Sequence, residues 1–194
     1  LKGPGKTSER RGIMLKGYQG WAGRALVGVR ALQRCSDILS GYEVGVYLVS
    51  GEDVDIACRL LGADGKIKVT ILPPGQSHET IMRYHGKARI SIGLSISDAL
   101  STSFLEAIAM GSFPIQSNTA AADEWIKDGV TGFIVPPEDP EIIEKAIRRA
   151  LSDDEMVDRA AERNLRTITE RLDYDKVKEI AIGMYKKIYD EHSI

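Results

Sequence analysis

Six short apolar runs recur along the chain, at residues 12–16, 44–50, 67–72, 88–95, 113–117 and 132–135. Each has the length of a strand, and several are rich in Val and Ile. They lack a polar face, as expected of parallel strands covered by helices on both sides. Longer stretches of helical period lie between them. Residues 24–39 place Leu26, Val29, Leu32 and Cys35 on one stripe, and residues 53–61, 80–87, 104–110 and 121–127 follow later strands. Three helices, 141–151, 155–171 and 175–191, close the chain, with charges along their solvated faces. Asp128-Gly129 and Pro136-Pro137 mark turns, and Glu138-Asp139-Pro140 leads into a helix. This order predicts an α/β fold: a Rossmann-like, doubly wound parallel sheet of about six strands with extra C-terminal helices.

Ligands of such sheets bind outside the carboxyl ends of the strands, near the point where strand order reverses. The turns after the strands are therefore where chemistry is expected. The charge of the chain is nearly balanced, 26 Lys+Arg against 28 Asp+Glu, so no basic excess points to nucleic acid. The sign is uneven, however. Residues 1–34 hold eight Lys/Arg and one acid, while residues 138–194 hold 11 Lys/Arg and 15 acids. An anionic ligand is expected nearer the first part. No apolar run approaches the roughly 20 residues of a membrane helix, and no signal peptide is visible. Cys35 and Cys58 have neither metal nor disulfide spacing and read as buried thiols of a reducing compartment.

Several patterns carry no chemistry. Gly5-Lys6-Thr7 mimics the end of a phosphate-binding loop but lacks the preceding strand and the long helix after it. Residues 1–11, polar and Gly-rich, read as a linker or frayed terminus, leaving 12–194 as a single Rossmann-like domain. His78 and His85 share a helical face, but with His192 they form no ligand cluster and read as surface histidines. No Gly-x-Ser-x-Gly elbow is present, and no Gly-x-Gly-x-x-Gly follows the first strand, which weakens a dinucleotide-dependent enzyme as an alternative.

The richest stretch is residues 88–139. Its strand ends in a polar loop, 95–103, and a helix starts near Ser101, Thr102 and Ser103. Free backbone N–H groups at a helix start attract phosphate. Asp98 and Glu106 flank that start, where carboxylates suit sugar hydroxyls rather than phosphate. Two local alternatives compete: Ser103-x-x-Glu106 has capping-box spacing, and Asp98 has the setting of a turn acid.

This stretch resembles the signature of retaining GT-B glycosyltransferases, specifically family four, also called glycosyl transferases group 1. Seven residues separate an acid, Asp98, from Glu106-Ala107-Ile108-Ala109-Met110-Gly111. Pro114-Ile115, Glu124, Asp128-Gly129, Gly132 and Pro136-Pro137-Glu138-Asp139 then follow in the family's order. Upstream the likeness is looser. Gly17 ends the first strand, but Tyr18 stands where the family has Arg, and the Lys position falls on Gly23 with Arg24 next to it. Lys16 is a second candidate cation, within the strand. Gly51 matches a turn glycine, and Leu72-Pro73-Pro74-Gly75 lies where the family holds the nucleotide base. Asp98 replaces the usual Glu, Ser101 replaces a Gly, and the loop 117–122 lacks the usual glycines.

The resemblance implies the donor-binding, C-terminal half of a glycosyltransferase that moves a sugar from a nucleoside diphosphate sugar to an acceptor with retention. The acceptor class, whether glycan, lipid or small molecule, belongs to a missing N-terminal GT-B domain; the start at Leu1 rather than Met agrees with a piece of something longer. Glu106 would hold the ribose and Asp98 the donor sugar. Gly17, Arg24, Gly51, Leu72, Pro73, Ser101, Thr102 and Ser103 would complete the donor site. No metal or other cofactor is expected. The implied location is cytoplasmic, with peripheral attachment to the inner face of a membrane through the missing half. The alternative from another class is a non-catalytic nucleotide-sugar-binding module.

Overall fold

The computed structural model describes residue 3, residues 5–119 and residues 121–192. Its strands are β1 (Gly12–Lys16), β2 (Glu43–Tyr47), β3 (Lys68–Ile71), β4 (Ala88–Gly93), β5 (Phe113–Ser117) and β6 (Phe133–Val135). All pairings are parallel, in the order β3-β2-β1-β4-β5-β6. The helices are α1 (Ala25–Arg34), α2 (Glu52–Leu61), α3 (His78–Lys87), α4 (Thr102–Ala109), α5 (Pro140–Ser152), α6 (Asp154–Leu172) and α7 (Tyr174–His192). This is the doubly wound Rossmann-like architecture expected, with extra helices at the end. The chain winds outward from β1 to β3, then returns to β4 beside β1, so the order reverses between those two central strands.

Each sheet face is covered. On one, Ile13, Leu15, Ile90, Ile92, Phe113 and Ile115 pack against Val29 and Leu32 of α1, Ile143 and Ile147 of α5 and Val157 of α6. Each such aliphatic side chain contributes about 1.5–3 kcal/mol on burial. On the other face, Met14, Tyr47 and Leu72 pack with Ile81 and Tyr84 of α3, while Phe104 and Ile108 of α4 pack with Ala122 and Ile126. Helix α7 differs: it buries no residue, and Val177, Ile180, Met184, Tyr185 and Ile188 are exposed along it.

Four expectations need correction. Residues 5–11 are not a frayed linker. Thr7 Oγ1 donates to the Gly111 carbonyl at 2.7 Å, Ser8 bonds Asp158 through N (2.9 Å) and Oγ (2.8 Å), and Arg10 Nη1 donates to the Met110 carbonyl at 2.9 Å. Burial lowers the Arg10 pKa, with Asp158 opposing. The nearby buried Arg89 is tied to the Ser8 and Ala150 carbonyls and to Asp154. Gly5-Lys6-Thr7 thus packs at the amino edge of the sheet, opposite the ligand edge. Residues 1, 2 and 4 of the expected linker and residue 120 of the loop lie outside the described residues.

His85 is not a surface histidine. It is fully buried, its Nδ1 lies 2.9 Å from Ser91 Oγ, its ring meets Tyr47 edge-on, and burial pushes its pKa down to about 4. The helix expected over 121–127 is a single 3-10 turn, Ala121–Glu124. It stops because the Lys127 amide donates to Thr131 Oγ1 at 2.8 Å, closing the Asp128-Gly129 turn instead. The helix expected over 24–39 ends at Arg34, where the Cys35 amide is shared between the Ala31 and Leu32 carbonyls, a tightened last turn. Both cysteines are buried free thiols; burial raises their pKa values, to about 12 for Cys35 and about 11 for Cys58.

Candidate donor site

At the carboxyl edge of the sheet, the turns after β1, β2, β3 and β4 surround a cleft of about 1290 Å³. It lies against the β1–β4 reversal and extends toward the ends of β2 and β3. Of the residues named from sequence, Gly51, Leu72, Pro73, Asp98, Ser101, Thr102, Ser103 and Glu106 all line it. Gly51 has φ 93°, and a Cβ there would come within 2.5 Å of Asp53 Oδ1, so the turn after β2 requires glycine.

The cation at the β1 end of the cleft is Lys16; Arg59, also in the lining, is paired with Asp55 of its own helix. As the last residue of β1, on the same strand face as Met14, it emerges exactly where the reversal opens the sheet. Its Nζ lies 3.2 Å from Asp98 Oδ2 and 3.3 Å from both Ser95 Oγ and Ser101 Oγ. Arg24 is directed elsewhere. It precedes α1 and bonds Glu138 Oε1 at 2.9 Å, the Gly23 carbonyl at 2.9 Å and the Gly20 carbonyl at 3.1 Å, and it does not line the cleft. Gly23 cannot carry a cation either, because a Cβ there would collide with the Tyr18 carbonyl. Gly17 is also outside the lining. Its N–H donates to the Tyr47 carbonyl at 2.7 Å, and a Cβ would press on Val49, so its role is to hold the β1 end against β2.

Helix α4 begins one residue after Ser101, whose side chain does not cap it. The Ser101 hydroxyl is shared with Lys16 and with Ser103 Oγ at 2.9 Å. The capping box proposed by the Ser103-x-x-Glu106 spacing is therefore not formed: Ser103 already lies inside the helix, and Glu106 turns into the cleft. There Glu106 Oε1 meets His78 Nε2 at 2.9 Å. Glu106 is largely buried, with 18% of its side chain exposed. Tyr47 lies beneath. Burial drives its hydroxyl pKa well up, a Ser103 hydrogen bond opposes this, and the Glu106 charge adds to it. The phenol therefore stays neutral near pH 7.

The arrangement offers a cation and free helix-start amides at one end, a carboxylate pair along the middle, and an apolar shelf of Leu72, Pro73 and Pro74 at the other. Lys16 and His78 are the cleft residues that the sequence alone underweights or misses. Lys16 was discernible as the final residue of an otherwise apolar strand. His78 had no local signal, because its partner lies 28 residues away. Among the described residues, no group of three or more His, Cys, Asp or Glu could hold a metal ion, and no helix is long and apolar enough to cross a membrane.

A six-stranded parallel sheet with its cleft at the β1–β4 reversal defines a Rossmann-like domain. The family model for glycosyl transferases group 1 matches residues 37–167, and the chain belongs to that family. Solved structures share the fold. A glycosyltransferase from Rickettsia africae is 21% identical with a TM-score of 0.74, over 93% of this chain and 48% of that one. The C-terminal domain of the Francisella tularensis group 1 protein LpcC is 17% identical with a TM-score of 0.71, over 83% of this chain and 85% of that one. Anabaena HepE, solved with UDP and glucose, is 14% identical with a TM-score of 0.73, over 92% of this chain and 49% of that one. The chain thus spans about half the length of the Rickettsia and Anabaena proteins. No curated protein sequence matches it.

Proposed function

We propose that this chain is the donor-binding half of a glycosyltransferase that moves a sugar from a nucleoside diphosphate sugar to an acceptor with retention. The observation that carries this is the convergence of Lys16, Asp98, Glu106 and the α4 start in one cleft at the strand reversal. Lys16 and the α4 amides would neutralise the charge that builds on the departing diphosphate, the usual largest electrostatic aid to such a transfer. Glu106 would accept hydrogen bonds from the ribose hydroxyls, Asp98 from the transferred sugar, and the shelf at Leu72 and Pro73 would seat the base. Such a donor site needs no metal. The acceptor, whether glycan, lipid or small molecule, would be held by an N-terminal domain outside this chain. The exposed apolar face of α7 suits contact with that domain. The complex of HepE with UDP and glucose supports the donor class by analogy of fold.

The test is calorimetry of residues 1–194 with UDP-, GDP- and ADP-sugars, with and without EDTA. One of them should bind, at about millimolar affinity for half of an active site, and EDTA should change nothing. Binding seen only with Mg²⁺ or Mn²⁺ would overturn the metal-free reading. Absence of binding by all three would overturn the donor-site reading. The chain alone should transfer no sugar, because positioning of the acceptor contributes several kcal/mol to lowering the barrier.

A further inference from the structure

We infer that His78 is a positioning residue for the nucleoside end of the site, fixing the Glu106 carboxylate so that one oxygen stays open to the ligand; this rests on the reading of Glu106 as the ribose contact. Glu106 is on α4 and His78 opens α3, so the bond between them joins two helices across the mouth of the cleft. Among the described residues, His78 is the hydrogen-bonding partner of that carboxylate. Ser103, one helical turn before it, is engaged with Ser101. His78 Nε2 takes Oε1, which leaves Oε2 for a ribose diol.

The backbone of His78 is itself held firmly. Ser77 caps α3 by accepting from the Thr80 amide at 3.2 Å, and one and two turns along, Met82 and His85 are buried in the core. The side chain, in contrast, is 71% exposed, so burial does not explain its placement. It lines the cleft together with the Leu72–Gln76 shelf and bonds Glu106, whereas Lys16 is tied to Asp98 and Ser101. The two ends of the site are thus served by different side chains, and a ligand that lacks the nucleoside should be indifferent to His78.

The experiment compares a nucleoside diphosphate (UDP below, or GDP or ADP if the wild-type chain binds one of those instead) with inorganic pyrophosphate by calorimetry on the wild-type chain and on His78→Ala, His78→Gln and Glu106→Gln. His78→Ala should weaken UDP about fivefold and leave pyrophosphate unchanged. His78→Gln should recover most of the loss, because its amide nitrogen can reach the same carboxylate oxygen. Unchanged UDP affinity in His78→Ala, with Glu106→Gln weakened, would overturn the positioning role while the ribose reading stands. Unchanged affinity in both variants would overturn the ribose reading and this inference with it. Equal loss of UDP and pyrophosphate in His78→Ala would mark a general structural effect and also overturn the inference.

Discussion

The Lys16 ammonium of β1 lies 3.2 Å from the Asp98 carboxylate beyond β4, with 15% and 35% of the two side chains exposed. The ammonium at this edge thus comes from the strand itself, whereas Arg24 at the start of α1 pairs with Glu138. The acid beside Lys16 offsets the charge of the ammonium and holds it at the edge where a diphosphate would lie.

Lys16→Met removes that cation and keeps most of its apolar stem. Both UDP and pyrophosphate should bind roughly tenfold more weakly, since hydrogen bonds to charged groups contribute about 1.5–3 kcal/mol. Asp98 is exposed enough to hydrate, so the melting free energy should change by less than about 1 kcal/mol. Titration of both ligands into the variant decides the matter; undiminished pyrophosphate binding would remove Lys16 from the site.

Arg24→Ala should leave UDP affinity within about twofold, because that guanidinium is spent on Glu138 and on two loop carbonyls. Its ion pair is with a largely exposed Glu138, and such pairs contribute about 0–1 kcal/mol. A large loss of affinity would mean that Arg24 swings into the cleft on binding.

Glu106→Gln and Ser103→Ala together separate ligand binding from helix capping. With no capping box formed, Ser103→Ala should cost stability only through the buried Tyr47 hydroxyl it partners, so in a Tyr47→Phe background it should cost less than about 0.5 kcal/mol, against the typical ~1 kcal/mol for loss of a true cap. Glu106→Gln should weaken UDP about tenfold or more while the fold is retained. Chemical denaturation alongside calorimetry reads both. A Ser103→Ala that still destabilises the Tyr47→Phe background, with intact UDP binding in Glu106→Gln, would restore the capping role.

Stability should fall as pH drops from 6.5 toward 4. The folded His85 pKa, about 4, lies below the ordinary value of 6.5, so the unfolded chain binds the extra proton first and draws the equilibrium toward itself. The full penalty is roughly 3 kcal/mol, reached near pH 4. Carboxylates whose pKa values are lowered by partners, Asp37, Glu43 and Glu144, add their own losses only below about 4.5. Urea melts at pH 7 and 5 therefore isolate the histidine, and His85→Gln should flatten that difference. An equal slope in the variant would assign the effect elsewhere.

The sheet was legible because its signal is local: strands such as Gly12–Lys16 and Phe113–Ser117 fall where the apolar runs end. Asp98 and Glu106 stood out only through the long ordered resemblance around them, since their local spacing equally fits a turn acid and a capping box; the fold brings both to one cleft. What was not legible depended on tertiary partners. Arg24 has the right type and neighbourhood, yet Glu138, 114 residues later, claims it. Ser103-x-x-Glu106 has capping spacing, yet the helix starts two residues too early for Ser103 to serve as its cap. His85 shares a helix with His78, but Ser91 and Tyr47 decide that one is buried and the other lies at the cleft.

The β1–β4 adjacency also has a consequence for assembly. Lys16 and Asp98 are 82 residues apart in the chain and meet only once the two winding halves of the sheet have closed on each other. Closing so long a loop is entropically slow relative to local helix formation. The cleft is therefore expected to be among the last features to form, and a nucleotide bound there would act as a clasp across the seam. Amide hydrogen exchange should show it: ligand should slow exchange most in the central strands β1 and β4, more than in the edge strands β3 and β6.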